Sequence, residues 1–203
     1  MMRELYFAIP KKVRLFAIVM IALLLLYFVG RFLLMATKIV PDDFMRARQQ
    51  ASVTAQDIVG MSKESSQHIA EIAALNNAQN YSAALRLTEN EIERNRQIRD
   101  KAIELSAQLQ TMTIGVSNIQ PKSSGELALE AVSTEVTLIG HLLIYTDYLN
   151  QLLQTIRDRI ADNASGSSER IPMLLQKIND EVIVVNALND KFNEKMGEFD
   201  RGL

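Results

Sequence analysis

Residues 132–160, VSTEVTLIGHLLIYTDYLNQLLQTIRDRI, carry an apolar side chain every three or four positions over Val132, Val136, Ile139 and Leu143 and again over Leu149, Leu153, Ile156 and Ile160. That period places them along one face of an α-helix. Between Leu138 and Leu149 the segment is apolar on almost every side. A helix of that composition needs neighbours on several flanks, so a central position is expected.

The pattern continues on both sides. Downstream, after the break NASGSS at 163–168, a second stripe runs through Ile171, Leu174, Ile178, Val182, Val185, Leu188, Phe192, Met196 and Phe199. Upstream, GVSNIQPKSSG at 115–125 holds Pro121, and Ser123 with Glu126 makes a capping-box spacing at a helix start. A softer interruption lies at 76–80, NNAQN. Pro41-Asp42-Asp43 suits a first helical turn, where amide hydrogens are unpaired and the dipole is positive. The expected helices are therefore 42–76, 80–114, 124–162 and 168–200. Each has 33 to 39 residues, about 50 to 58 Å of helix.

Four helices of matched length with short connections predict an all-α, antiparallel four-helix bundle. Because 76–80 has neither glycine nor proline, the alternative is one helix of more than seventy residues folded into a long coiled-coil-like helical hairpin. The first helix presents a thin face of Ala47, Ala51, Ala55, Ser62, Ser65 and Ala73, which buries little area and predicts the least stable of the four.

The amino-terminal region is of another kind. Residues 15–30, LFAIVMIALLLLYFVG, hold no charge. With its flanks the segment spans 13–36, about the 30 Å of a hydrocarbon core. Ala36 has Leu34 two positions before it, a poor cleavage site, so an uncleaved single-pass signal anchor is expected. This gives a short basic cytoplasmic tail at 1–12, a transmembrane anchor at 13–36 and a helical extracytoplasmic domain at 41–203. Arg14, Tyr27, Phe28, Arg31 and Phe32 are the expected membrane-interface residues, with Arg31 reaching back to the headgroups.

Basic residues on the two flanks nearly balance. The cluster Lys11, Lys12 and Arg14, against Asp42 and Asp43 on the far side, favours a cytoplasmic amino terminus. Charge divides the chain in the same way. Up to Lys38 there are six basic residues and one acid, a balance of +5; from Pro41 there are sixteen basic and twenty-three acidic, a balance of −7. An acidic domain has no electrostatic reason to bind nucleic acid.

Chemistry-bearing motifs are sparse. The absence of cysteine excludes disulfides, thiolate metal sites and a cysteine nucleophile. Phosphate-loop, HExxH and GxSxG patterns do not occur. His68, with Glu64 and Glu71 on its face, lacks the Glu-x-x-His spacing of a di-iron bundle, since position 65 is serine. It reads as part of a solvated face. His141 is read first as a core histidine hydrogen-bonded across the bundle; with Tyr145 and Tyr148 it also forms the candidate ligand pocket. Arg94, Arg96, Arg99 and Lys101 alternate with Glu91, Glu93, Asp100 and Glu104, as on an exposed, ion-paired helix face. Two sequons occur, at Asn80 and Asn163.

No catalytic residue, cofactor, metal or small-molecule substrate is expected. The expected function is that of a non-enzymatic envelope protein, anchored in the cell membrane and acting on other envelope proteins or on itself. The alternative is a ligand-sensing four-helix ectodomain that signals through a partner.

Overall fold

A computed structural model describes residues 39–162 and 170–202. The expected tail, the anchor at 13–36, the interface residues Arg14, Tyr27, Phe28, Arg31 and Phe32, and the sequon at Asn163 all lie outside the described residues. Within them the chain is all-α. Helix α1 spans Asp42–Asn77, α2 Tyr81–Val116, α3 Lys122–Asp162 and α4 Arg170–Gly202. No β-strand occurs among the described residues.

Neighbouring helices run antiparallel. Lys101 reaches Asp57 and Gln108 reaches Thr54 between α2 and α1. Asn95 donates to the Thr146 carbonyl of α3 at 2.7 Å. On the other flank of α3, His141 meets Glu181 and Glu130 meets Lys195.

The first two helices pack through a seven-residue repeat. On α1, Phe44, Ala47, Ala51, Thr54, Ile58, Ser65 and Ile72 are buried. On α2 the series Ala84, Thr88, Glu91, Asn95, Ile98, Ala102, Leu105, Leu109, Met112 and Val116 alternates steps of four and three without a gap, as a coiled-coil seam requires. Most of α1's share is small, in line with the thin face of its sequence.

The single long helix across 76–80 does not form. The Ala78 amide donates to the Ala74 carbonyl and the Asn80 amide to the Leu75 carbonyl, while Gln79 adopts a left-handed φ of 59°. Asn80 then caps α2, accepting the Ala83 amide through its side chain. Asparagine and local carbonyl capture thus end a helix without glycine or proline. A left-handed glutamine is strained, so Gln79→Gly is expected to raise stability by about 0.5–1 kcal/mol. Chemical denaturation of the full chain in detergent reads this directly; an unchanged or lowered midpoint counts against the turn.

Helix α3 packs on both α2 and α4 and supplies the fully buried Leu149, Leu152 and Leu153. Among the described helices it is the one long and apolar enough, by length and composition, to cross a membrane. Here the same surface meets protein on two flanks, and α3 reads as the core helix of the bundle. Its buried threonines satisfy themselves locally: the hydroxyls of Thr134 and Thr155 donate to the carbonyls of Glu130 and Gln151, one turn back.

The fourth edge of the bundle differs from the other three. Helices α1 and α4 do not pack backbone to backbone along their length. They join at one end, where the rings of Phe44 and Phe199 lie 5.6 Å apart at 55°. Beside them Arg48 donates two hydrogen bonds of 2.7 Å to the Asp200 carboxylate. That guanidinium holds Asp200 below its usual carboxylate range. Beyond this closure the edge stands open.

Candidate functional site: a cleft between the first and last helices

The open edge forms a cleft floored by α2 and α3. One cavity in it, of about 420 Å³, has walls of Ala55, Ile58 and Val59 from α1 and Val182 and Val185 from α4. Leu138, Leu142 and Tyr145 of α3 form the floor, with Leu105 of α2. A second cavity of similar volume, about 420 Å³, continues toward the Phe44–Phe199 closure and shares Ala55, Val59, Glu135 and Asn189 with the first. Small residues on α1 produce this geometry, because alanine and serine leave the space that leucines on a fully packed helix would fill. The volume falls within the range of small-molecule pockets.

Glu135 gives the cleft its chemistry. It lines both cavities and is only 6% exposed, and its Oε2 has no hydrogen-bond partner. Burial pushes this carboxyl up to about 7, since desolvation disfavours the charged form. Polar groups stand nearby: Asn186 and Asn189 on the α4 wall, and Ser62, Ser66 and the exposed Lys63 on α1. An apolar enclosure around one unpaired carboxyl can bind, and can exchange a proton near neutrality.

The residues singled out from sequence are divided between two places. Tyr145 is buried in the cleft floor; burial, and then the Glu91 carboxylate, push its phenol above the usual range. His141 and Tyr148 instead meet α4. His141 Nδ1 lies 2.8 Å from Glu181 Oε2, and the Lys177 ammonium sits 4.9 Å from the centre of the Tyr148 ring. Of the three, Tyr145 lines the cleft cavity, whereas His141 and Tyr148 are not among its lining residues.

His68 is not on a free solvated face either. Its Nδ1 lies 2.5 Å from the Oε1 of Glu91, a fully buried residue of α2. The same oxygen accepts from Arg94 Nε at 3.0 Å, and Arg94 also pairs with Glu64. Pairing of this kind is what makes a buried charge tolerable. Arg96 does stay exposed, paired with Glu93 and Asp100, whereas Arg99 and Lys101 reach across to Asp147 and Asp57. Among the described residues, no three metal-ligating side chains gather into a cation site.

Glu135 was the residue missed by the sequence reading. The signal was present: it lies three positions after Val132 and four before Ile139, on the face that those two place inward. Compared with family models, curated proteins and solved structures, the chain matches none.

Proposed function

We propose that this is a single-pass, membrane-anchored protein of the cell envelope whose helical domain lies outside the membrane and acts by binding rather than by chemistry. The observation that carries the reading is the open cleft along the α1–α4 edge, with the unpaired Glu135 carboxyl on its floor. A bundle serving only as a spacer has no reason to keep a buried carboxyl there, because desolvating it opposes folding. Anchoring rests on the uncharged run at 15–30 and orientation on the Lys11, Lys12 and Arg14 cluster. This reading favours the ligand-binding alternative over a purely structural scaffold.

A second reading, self-association or contact with another envelope protein, is favoured by one feature. Leu129, Val136 and Ile144 are exposed on α3, seven and eight positions apart and hence on one face.

The anchored topology is testable with a carboxyl-terminal epitope tag on the full chain. Added protease is expected to remove the tag from intact cells, with the protein remaining in carbonate-washed membranes. A tag cut only after the cells are opened contradicts the orientation, and extraction by carbonate contradicts the anchor.

A further inference from the structure

We propose that the cleft between α1 and α4 is a binding site for a small organic ammonium compound with an apolar body, its cationic nitrogen held by the Glu135 carboxylate and its hydrocarbon part by Ile58, Leu138, Val182 and Val185. The assignment deepens the binding reading and depends on it.

Charge decides the ligand class. A buried carboxylate oxygen with no donor is unfavourable, and a ligand that supplies both a positive charge and N–H donors repairs both deficits together. An anionic ligand would add a second negative charge beside Glu135. A neutral alcohol offers one weaker hydrogen bond. The side-chain carbonyls of Asn186 and Asn189 provide acceptors for further N–H groups. The rest of the wall is aliphatic and takes a compact hydrocarbon body.

The other charged or titratable groups around the cleft leave Glu135 as its interior anion. From α1 come Lys63, exposed at the mouth, and Arg48, engaged with Asp200. From α2 the lining is Leu105, Leu109 and Met112, and from α4 it is amide and aliphatic, with Phe192. On α3 itself the further titratable group is the Tyr145 phenol. Binding of a cation requires the ionised carboxylate. Affinity is therefore expected to rise with pH through about 7 and level off above it.

Three probes of one shape isolate the charge: cyclohexylmethylamine, cyclohexylmethanol and cyclohexanecarboxylate. Binding is measured by calorimetry on the full-length protein in lipid nanodiscs, with empty nanodiscs as the blank. At about pH 8 the amine is expected to bind about tenfold to a hundredfold more tightly than the alcohol, the worth of a charge-assisted hydrogen bond. The carboxylate is expected to bind weakest. Glu135→Gln should erase the preference for amine over alcohol while leaving the alcohol's affinity in place. Val185→Trp, which fills the cleft without touching the carboxyl, should weaken amine and alcohol alike, and it serves if the glutamine variant fails to fold. Equal affinity for all three probes, a preference that survives Glu135→Gln, or no saturable amine binding each overturns the assignment. None of these results bears on the anchor or its orientation, which protease access reads separately.

Discussion

Phe199→Ala is expected to lower the stability of the helical domain by about 3–5 kcal/mol, the usual range for removing a fully enclosed phenylalanine. For a domain of this size that is about 10 °C in Tm. Phe199 has no exposed surface and packs on Phe44, also fully buried, with the Arg48 guanidinium 5.7 Å from its ring centre. The backbones of α1 and α4 stay apart along their length, so the substitution acts where the two helices meet through their rings. Amide exchange should accelerate most over residues 42–55 and 190–202, while the α2–α3 interface keeps its protection. Phe199→Leu, which restores much of the volume, should recover a large part of the loss. Loss of the Arg48–Asp200 pair alone is expected to matter far less, because exposed ion pairs contribute about 0–1 kcal/mol.

The second large effect is in pH. In the unfolded chain the Glu135 carboxyl titrates near its ordinary 4.5, and in the fold it is pushed up to about 7. Between those values the native state holds a proton that the unfolded state lacks, so stability falls as pH rises through this window and levels off above it. A shift of that size corresponds to about 3 kcal/mol of stability present at pH 4.5 and absent at pH 8. Glu135→Gln is expected to remove this downward slope and to be more stable than the parent above about pH 7. Denaturant midpoints across the pH range measure both. Asp200 acts in the opposite sense at lower pH: Arg48 lowers its titration, so its contribution is lost only as pH falls through the carboxylate range. The two groups therefore occupy separate windows. Parallel profiles for the parent and Glu135→Gln would contradict the burial argued for this carboxyl.

Much of the fold was legible because helices declare themselves by period. The stripes of α3 and α4, the break at Gly115–Gly125, and the four-helix, all-α class all followed from spacing and turn chemistry. What spacing did not reveal was which flank of each helix would lack a neighbour. Val136 belongs to the α3 stripe by period, yet half its surface is exposed, and Val182 on α4 is exposed as well. Val182 borders the cleft: its stripe implied a partner, and small residues on α1 leave that side open. Gln79 could not be foreseen in a left-handed turn, because propensity assigns such positions to glycine or asparagine. Among the candidate site residues, the histidine and tyrosines of α3 stood out by residue type. A rotation of only about 40° to 60° around the helix, however, separates Tyr145, turned inward, from His141 and Tyr148, which meet α4. The carboxyl that matters was hidden among apolar neighbours. A glutamate on an inward face is a stronger pointer than a histidine on a mixed one, since its burial must be compensated by something.

The most direct measurement is the titration of Glu135 itself. Full-length protein labelled at the glutamate carboxyl carbons is placed in nanodiscs, and the Glu135 resonance is identified by its disappearance in Glu135→Gln. Its ¹³C shift is then followed against pH with and without saturating cyclohexylmethylamine. The expected midpoint is about 7 in the free protein, falling toward the ordinary 4.5 when the amine is bound. A midpoint near 4.5 from the outset, or one that the amine leaves in place, contradicts a cation-binding cleft built around this residue.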